Sequence, residues 1–110
     1  MSYRVRLLSF AVADTQQIFD WLSQRAPRGA EAWYNAMQVR LAELPDDADG
    51  CAVAAESDQL GEEVRETFFK TRQGHRYRIV FSITGDEVRV HRVRAPGLRP
   101  LTRYDISDES

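Results

Sequence analysis

The chain has 110 residues, 43% of them apolar, and 15 Lys and Arg against 17 Asp and Glu give a net charge of -2. That length suits one domain, and the apolar fraction excludes a chain disordered throughout. No run approaches the roughly 20 apolar residues of a membrane span, and a lone cysteine, Cys51, excludes an internal disulfide.

Tyr3-Arg4-Val5-Arg6-Leu7 alternates apolar and basic residues. This predicts a half-buried strand with Tyr3, Val5 and Leu7 inward. Arg4 and Arg6 before Leu7–Ala13 faintly imitate a secretion signal, but the apolar run is short and Ser9 breaks it. A cytoplasmic protein is the expectation. Asp14-Thr15-Gln16-Gln17 has the form of a capping box, so a first helix is predicted from there to about Arg25, with Ile18, Phe19 and Leu22 on its apolar stripe. After the turn Ala26-Pro27-Arg28-Gly29, a second helix is predicted from about Ala30. Trp33, Met37, Leu41 and Leu44 are its stripe and Pro45 its stop. The short link makes the two helices an antiparallel hairpin.

Residues 45–63 have no clear period; a short helical turn at Ala52–Glu56 is the only feature expected there. Three strands follow, at Val64–Lys70, His75–Thr84 and Glu87–Arg94, with Gly85-Asp86 as a hairpin turn. In the last strand Val88 and Val90 face one way and Val93 the other. A strand buried on both faces, or a bulge, would account for that. Pro96-Gly97 ends it. The fold class is α+β in the order β-α-α-β-β-β: a small twisted antiparallel sheet with the N-terminal helix hairpin on one face. One domain covers residues 1–101, and the acidic tail 102–110 is expected to fray.

The net charge hides a strong segregation. Residues 45–63 hold seven acids and no base, 64–104 hold ten bases and three acids, and 105–110 hold three acids and no base. The basic segment has the charge density of a nucleic-acid binder between acidic flanks. The competing reading is that the flanks fold over it and neutralise it.

The order of elements resembles the RelE/ParE superfamily of type II toxin–antitoxin toxins. The resemblance runs from Tyr3 to Leu101. It is carried by Tyr3-Arg4-Val5, the Trp- and Ala-rich hairpin, Glu63-Val64-Arg65, Gly74-His75-Arg76-Tyr77-Arg78-Ile79-Val80-Phe81, Gly85-Asp86-Glu87-Val88, and Val93-Arg94-Ala95-Pro96-Gly97-Leu98-Arg99-Pro100-Leu101. It implies an antitoxin partner whose segment wraps the toxin, and a role in growth inhibition and plasmid stabilisation. Two actions are known in the superfamily: cleavage of mRNA in the ribosomal A site, or inhibition of DNA gyrase by binding alone.

Cleavage by 2′-OH attack needs a proton acceptor, a proton donor and cations on the pentavalent phosphate. Arginine forks suit the last task. By resemblance, Arg65 and Arg78 would supply sheet cations, Arg94 or Arg99 the C-terminal arginine, and Tyr104 the late tyrosine. Thr67 replaces the second basic residue of the Arg65 strand, and the C-terminal His-Tyr pair of some relatives is absent. The competing reading pairs Arg78 with an acid of the 45–63 segment, and Arg65 with Glu63 or Glu66. His91 is the strand-borne histidine able to act near neutral pH, although a strand histidine is more often structural. No cofactor or metal is expected. A gyrase inhibitor stands first, a ribosome-dependent mRNA endoribonuclease second, and a degenerate member third. Whether the chain is an enzyme stays open.

Overall fold

The structure is a computed structural model that describes residues 2–106. The first alternating segment forms β1 (Arg4–Leu7). Two helices follow directly, α1 (Ser9–Arg25) and α2 (Pro27–Asp47), and their hairpin packs on one face of the sheet. The 45–63 segment folds into a 3-10 turn (Ala48–Gly50), a two-residue strand β2 (Ala52–Val53) and a single turn α3 (Ser57–Leu60). The remaining strands are β3 (Arg65–Phe69), β4 (Tyr77–Thr84) and β5 (Glu87–Arg94).

The five strands lie in the order β1-β5-β4-β3-β2. Pairing is antiparallel from β2 through β5, as expected, but β1 joins β5 in parallel, with Val5 beside Val88 and Leu7 beside Val90. The sheet is therefore mixed. Alternation within β1 fixed its inward face, and nothing in a four-residue strand fixes its direction relative to a strand 80 residues away.

The register of β4 against β5 slips once: Val80 pairs with Arg92 and Phe81 with Val90, so His91 is the extra residue of a bulge. The bulge resolves the phase problem in β5. Val88, Val90 and Val93 all join the core under the helices, with Ile79, Phe81, Trp33, Met37 and Leu44. Trp33, Phe69 and Tyr77 pack ring to ring with centroids 5.5–5.8 Å apart. Each such pair is worth about 1 kcal/mol beyond its buried area.

A second, smaller core lies elsewhere. Ala54, Val64, Val80 and Leu101 bury one another, with Leu60 and Ile106 at their margin. Val80 alternates with Ile79 and Phe81, so this cluster covers the sheet face opposite the helices. Its cover comes from the 54–64 segment and the C-terminal arm.

Three boundaries differ from the local signals. α1 begins at Ser9, five residues before the capping box, and Asp14 lies buried inside the helix. Its carboxylate accepts hydrogen bonds from Arg92 at 2.7 and 2.8 Å and from the Val93 N–H at 3.0 Å. β1 ends at Leu7, level with Val90, so β5 has no strand neighbour on that side beyond this point. Asp14 satisfies the backbone that β1 leaves open. α2 begins earlier than expected, with Pro27 in its first turn, where a missing N–H costs nothing. It also runs through Pro45 to Asp47. The Pro45 carbonyl accepts the Tyr3 N–H at 2.9 Å, and Ala48 beyond it is fully buried. Tertiary packing thus carries the helix past a residue that would end an isolated one.

Candidate functional site

The strands and the C-terminal arm place the five arginine and tyrosine candidates on different surfaces. Arg65 pairs in register with Phe81, on the helix-covered side of the sheet. Its guanidinium donates to the Cys51 carbonyl at 2.7 Å, the Asp49 carbonyl at 3.1 Å and Glu63 at 3.1 Å. It ties the chain before β2 to β3. Arg78 lies on the other face, directly across from Arg94. Arg65 therefore does not join the Arg78–Arg94 pair.

Arg78 is held by two carboxylates. Glu56 takes both terminal nitrogens at 2.7 and 2.8 Å, and Glu66 takes Nε at 2.8 Å. Glu56 also accepts the Leu101 N–H at 3.2 Å, so one buried carboxylate joins α3's approach, β4 and the C-terminal arm. The Arg78 hydrogen bonds, opposed in part by burial, hold the Glu56 carboxyl at about 2. The same pair raises the Arg78 pKa above its ordinary value.

Arg94 is buried and donates to the Arg99 carbonyl at 2.7 Å. Burial, and then the Arg92 charge, lower its pKa. Arg99 grips Asp105 with two bonds, at 2.7 and 3.0 Å. Asp105 closes a capping box with Thr102 over the 3-10 turn Arg103–Asp105. The Arg99 bonds, set against burial, push the Asp105 carboxyl well below the usual carboxylate range. Tyr104 protrudes from that turn, 86% exposed. Residues 102–106 of the tail are thus a built turn, and 107–110 lie outside the described residues.

A cleft of about 390 Å³ brings Arg78, Arg99 and Glu56 together with Gln59, Leu98 and Pro100. Two of the named arginines meet here, already neutralised by acids from the two acidic flanks. The charge segregation in the sequence was the available signal for Glu56 and Asp105, but it did not identify which acids would bind. The pairing of Asp14 with Arg92 carried no signal, because the two are 78 residues apart and meet only in the fold.

His91 is buried at the bulge, with Nε2 2.9 Å from Ser82 Oγ. The Glu62 carboxylate approaches the same nitrogen, at 4.0 Å. In a nucleophilic relay the acid orients the ring through the nitrogen that does not face the hydroxyl. Here both groups address Nε2, so the trio does not have relay geometry. Cys51 is half-buried beside Arg40 and the Asp47 carbonyl, each at 3.6 Å. Among the described residues no group of His, Cys, Asp and Glu has the form of a metal site, and no helix is long and apolar enough to cross a membrane.

No protein-family model matches the chain, and no curated protein matches it in sequence. Its fold does match a solved structure described as the chromosomal ParDE TA system from P. aeruginosa. The TM-score is 0.67, and the match covers 86% of this chain and 96% of the other at 19% identity. The α+β arrangement expected from the sequence is thereby that of a known structure.

Proposed function

We propose that this chain, which has the fold of a chain in the ParDE toxin–antitoxin structure, is the toxin of a type II toxin–antitoxin pair and inhibits DNA gyrase by binding. A cognate antitoxin is its partner on this reading, and the cytoplasm its place of action. One observation carries the choice of binding over RNA cleavage. Each candidate arginine is engaged inside the chain: Arg65 by Glu63 and two carbonyls, Arg78 by Glu56 and Glu66, Arg94 by a carbonyl, and Arg99 by Asp105. A scissile phosphate would have to displace a two-point Arg78–Glu56 contact that is largely buried. A free general base beside these arginines is also lacking among the described residues, since the nearby carboxylates accept from them.

The cross-strand placement of Arg78 and Arg94 favours the second reading, a ribosome-dependent mRNA endoribonuclease, should Glu56 swing away on the ribosome. Two assays separate the readings. Purified protein is added to a gyrase supercoiling reaction and to cell-free translation with mapping of new mRNA 5′ ends. Loss of supercoiling with intact mRNA is expected. Cuts that appear only during translation, with gyrase unaffected, would replace the first reading by the second. Silence in both assays leaves a member that keeps the fold without the poison.

A further inference from the structure

Most of the positive charge that has no carboxylate partner lies at one end of the molecule. Two chain segments meet there: the turn between α1 and α2, and the loop between β3 and β4. They line a common cleft of about 210 Å³, with Leu22, Gly29 and Trp33 on one side and Thr71, Gln73 and Gly74 on the other. Arg25 and Arg28 belong to the first segment, and Lys70, Arg72 and Arg76 to the second; all five are exposed. Among the described residues none of the five has a carboxylate partner, whereas eight of the other ten basic residues do. The sole acid between residues 21 and 33 is Glu31, and residues 68–77 contain none. Residues 21–33 and 68–77 therefore carry five cations against one carboxylate, while the rest of the chain carries ten bases and sixteen acids.

An apolar cleft adjoins the charged end. It encloses about 530 Å³ between α1 and the end of the sheet, lined by Ile18, Trp21, Tyr77, Ala95 and Pro96, with His75 at its margin. Trp21 is 53% exposed, and the Arg25 guanidinium lies over its ring at 4.0 Å. Arg76 lies likewise over Phe68, at 4.1 Å. Each cation is thus held beside an apolar surface and keeps its charge unpaired.

We propose that this end is a docking surface for an acidic protein segment: carboxylates on Arg25, Arg28, Arg72 and Arg76, and an apolar side chain in the cleft beside Trp21. Charge complementarity selects the acidic partner. The apolar cleft selects a protein segment over a nucleic acid. Each guanidinium already covers a face of the ring on which a base would stack, and the sixteen acids elsewhere oppose a long polyanion. The surface does not depend on the toxin reading and holds if the gyrase assay fails.

The test is fluorescence anisotropy with the full chain and three dye-labelled probes: a peptide of repeating Glu-Leu-Leu-Glu units, the same peptide with serine for leucine, and a single-stranded oligonucleotide. We expect the Glu-Leu peptide to bind, and the serine peptide and the Arg72→Glu/Arg76→Glu variant each to weaken binding by about tenfold or more. Trp21→Ala should weaken the Glu-Leu peptide and leave the serine peptide unchanged. Circular dichroism confirms that the surface variants stay folded. Absence of peptide binding, or equal binding by the charge-reversed variant, overturns the proposal. So does tighter binding of the oligonucleotide, which would give the surface to nucleic acid. Self-association abolished by the charge reversal would give it to a second copy, through the acidic 45–63 segment, and overturn it as well.

Discussion

Glu56 bonds Arg78 twice and the Leu101 N–H once, from a side chain only 9% exposed. Its carboxyl titrates at about 2 in the fold, below the ordinary 4.5. A depressed folded value stabilises the protein fully above the unfolded value, and that contribution disappears as pH falls through the folded one. Urea denaturation at a series of pH values should therefore show stability falling between about 4.5 and 2. Glu56→Gln should flatten that fall, with Asp105 supplying what remains at the acid end. An unchanged slope would remove Glu56 from the account. The same geometry makes Arg78→Ala a poor test of function. It strands two carboxylates, and loss of one partner of a buried pair costs about 3–5 kcal/mol. Glu56 and Asp105 were legible only as members of acidic runs. The pairing needed the fold, because burial selects which acid of a run is shielded from water and which stays solvated.

At the scale of elements, tertiary contact prevailed over local signals where the two conflicted. Asp14 reads as a cap because a short carboxylate before an apolar stripe satisfies free helix N–H groups. In the fold its carboxylate faces the open flank of β5, where Arg92 and the Val93 N–H need an acceptor more. We expect Asp14→Ala to cost about 2–3 kcal/mol, the penalty for a stranded buried charge and donor. Hydrogen exchange should speed up at the Val93 amide before it does so in β4. Protection at Val93 equal to wild type would mean that water replaces the carboxylate without loss. β5 is the converse case. Its conflicting phase was visible in Val88, Val90 and Val93, and the bulge at His91 is the physical resolution.

For the whole molecule, the sheet is covered on both faces by different material: the helix hairpin on one, the 54–64 segment and C-terminal arm on the other. Leu101 is 1% exposed and packs in the second core with Ala54, Val64 and Val80. Leu101→Ala should therefore cost about 2–4 kcal/mol, read as a drop in Tm. A change below about 0.5 kcal/mol, the size of an ordinary surface substitution, would show that the arm is not part of the folded unit. Charge follows the same division. Acids from the flanks, from α1 and from the β4–β5 turn neutralise most of the sheet arginines, and five of the cations left without a carboxylate belong to the α1–α2 turn and the β3–β4 loop.

The sequence by itself determined the α+β class, the helix hairpin, the three long strands and the inward face of β1, because hydrophobic period is a local property that burial reads directly. It also determined that acidic and basic segments alternate along the chain. Only the tertiary structure decided the parallel docking of β1, the fate of Asp14, the passage of α2 through Pro45, and which carboxylate binds which arginine. These are contacts between residues tens of positions apart. Their free energies depend on burial and distance, and neither exists until the chain has folded.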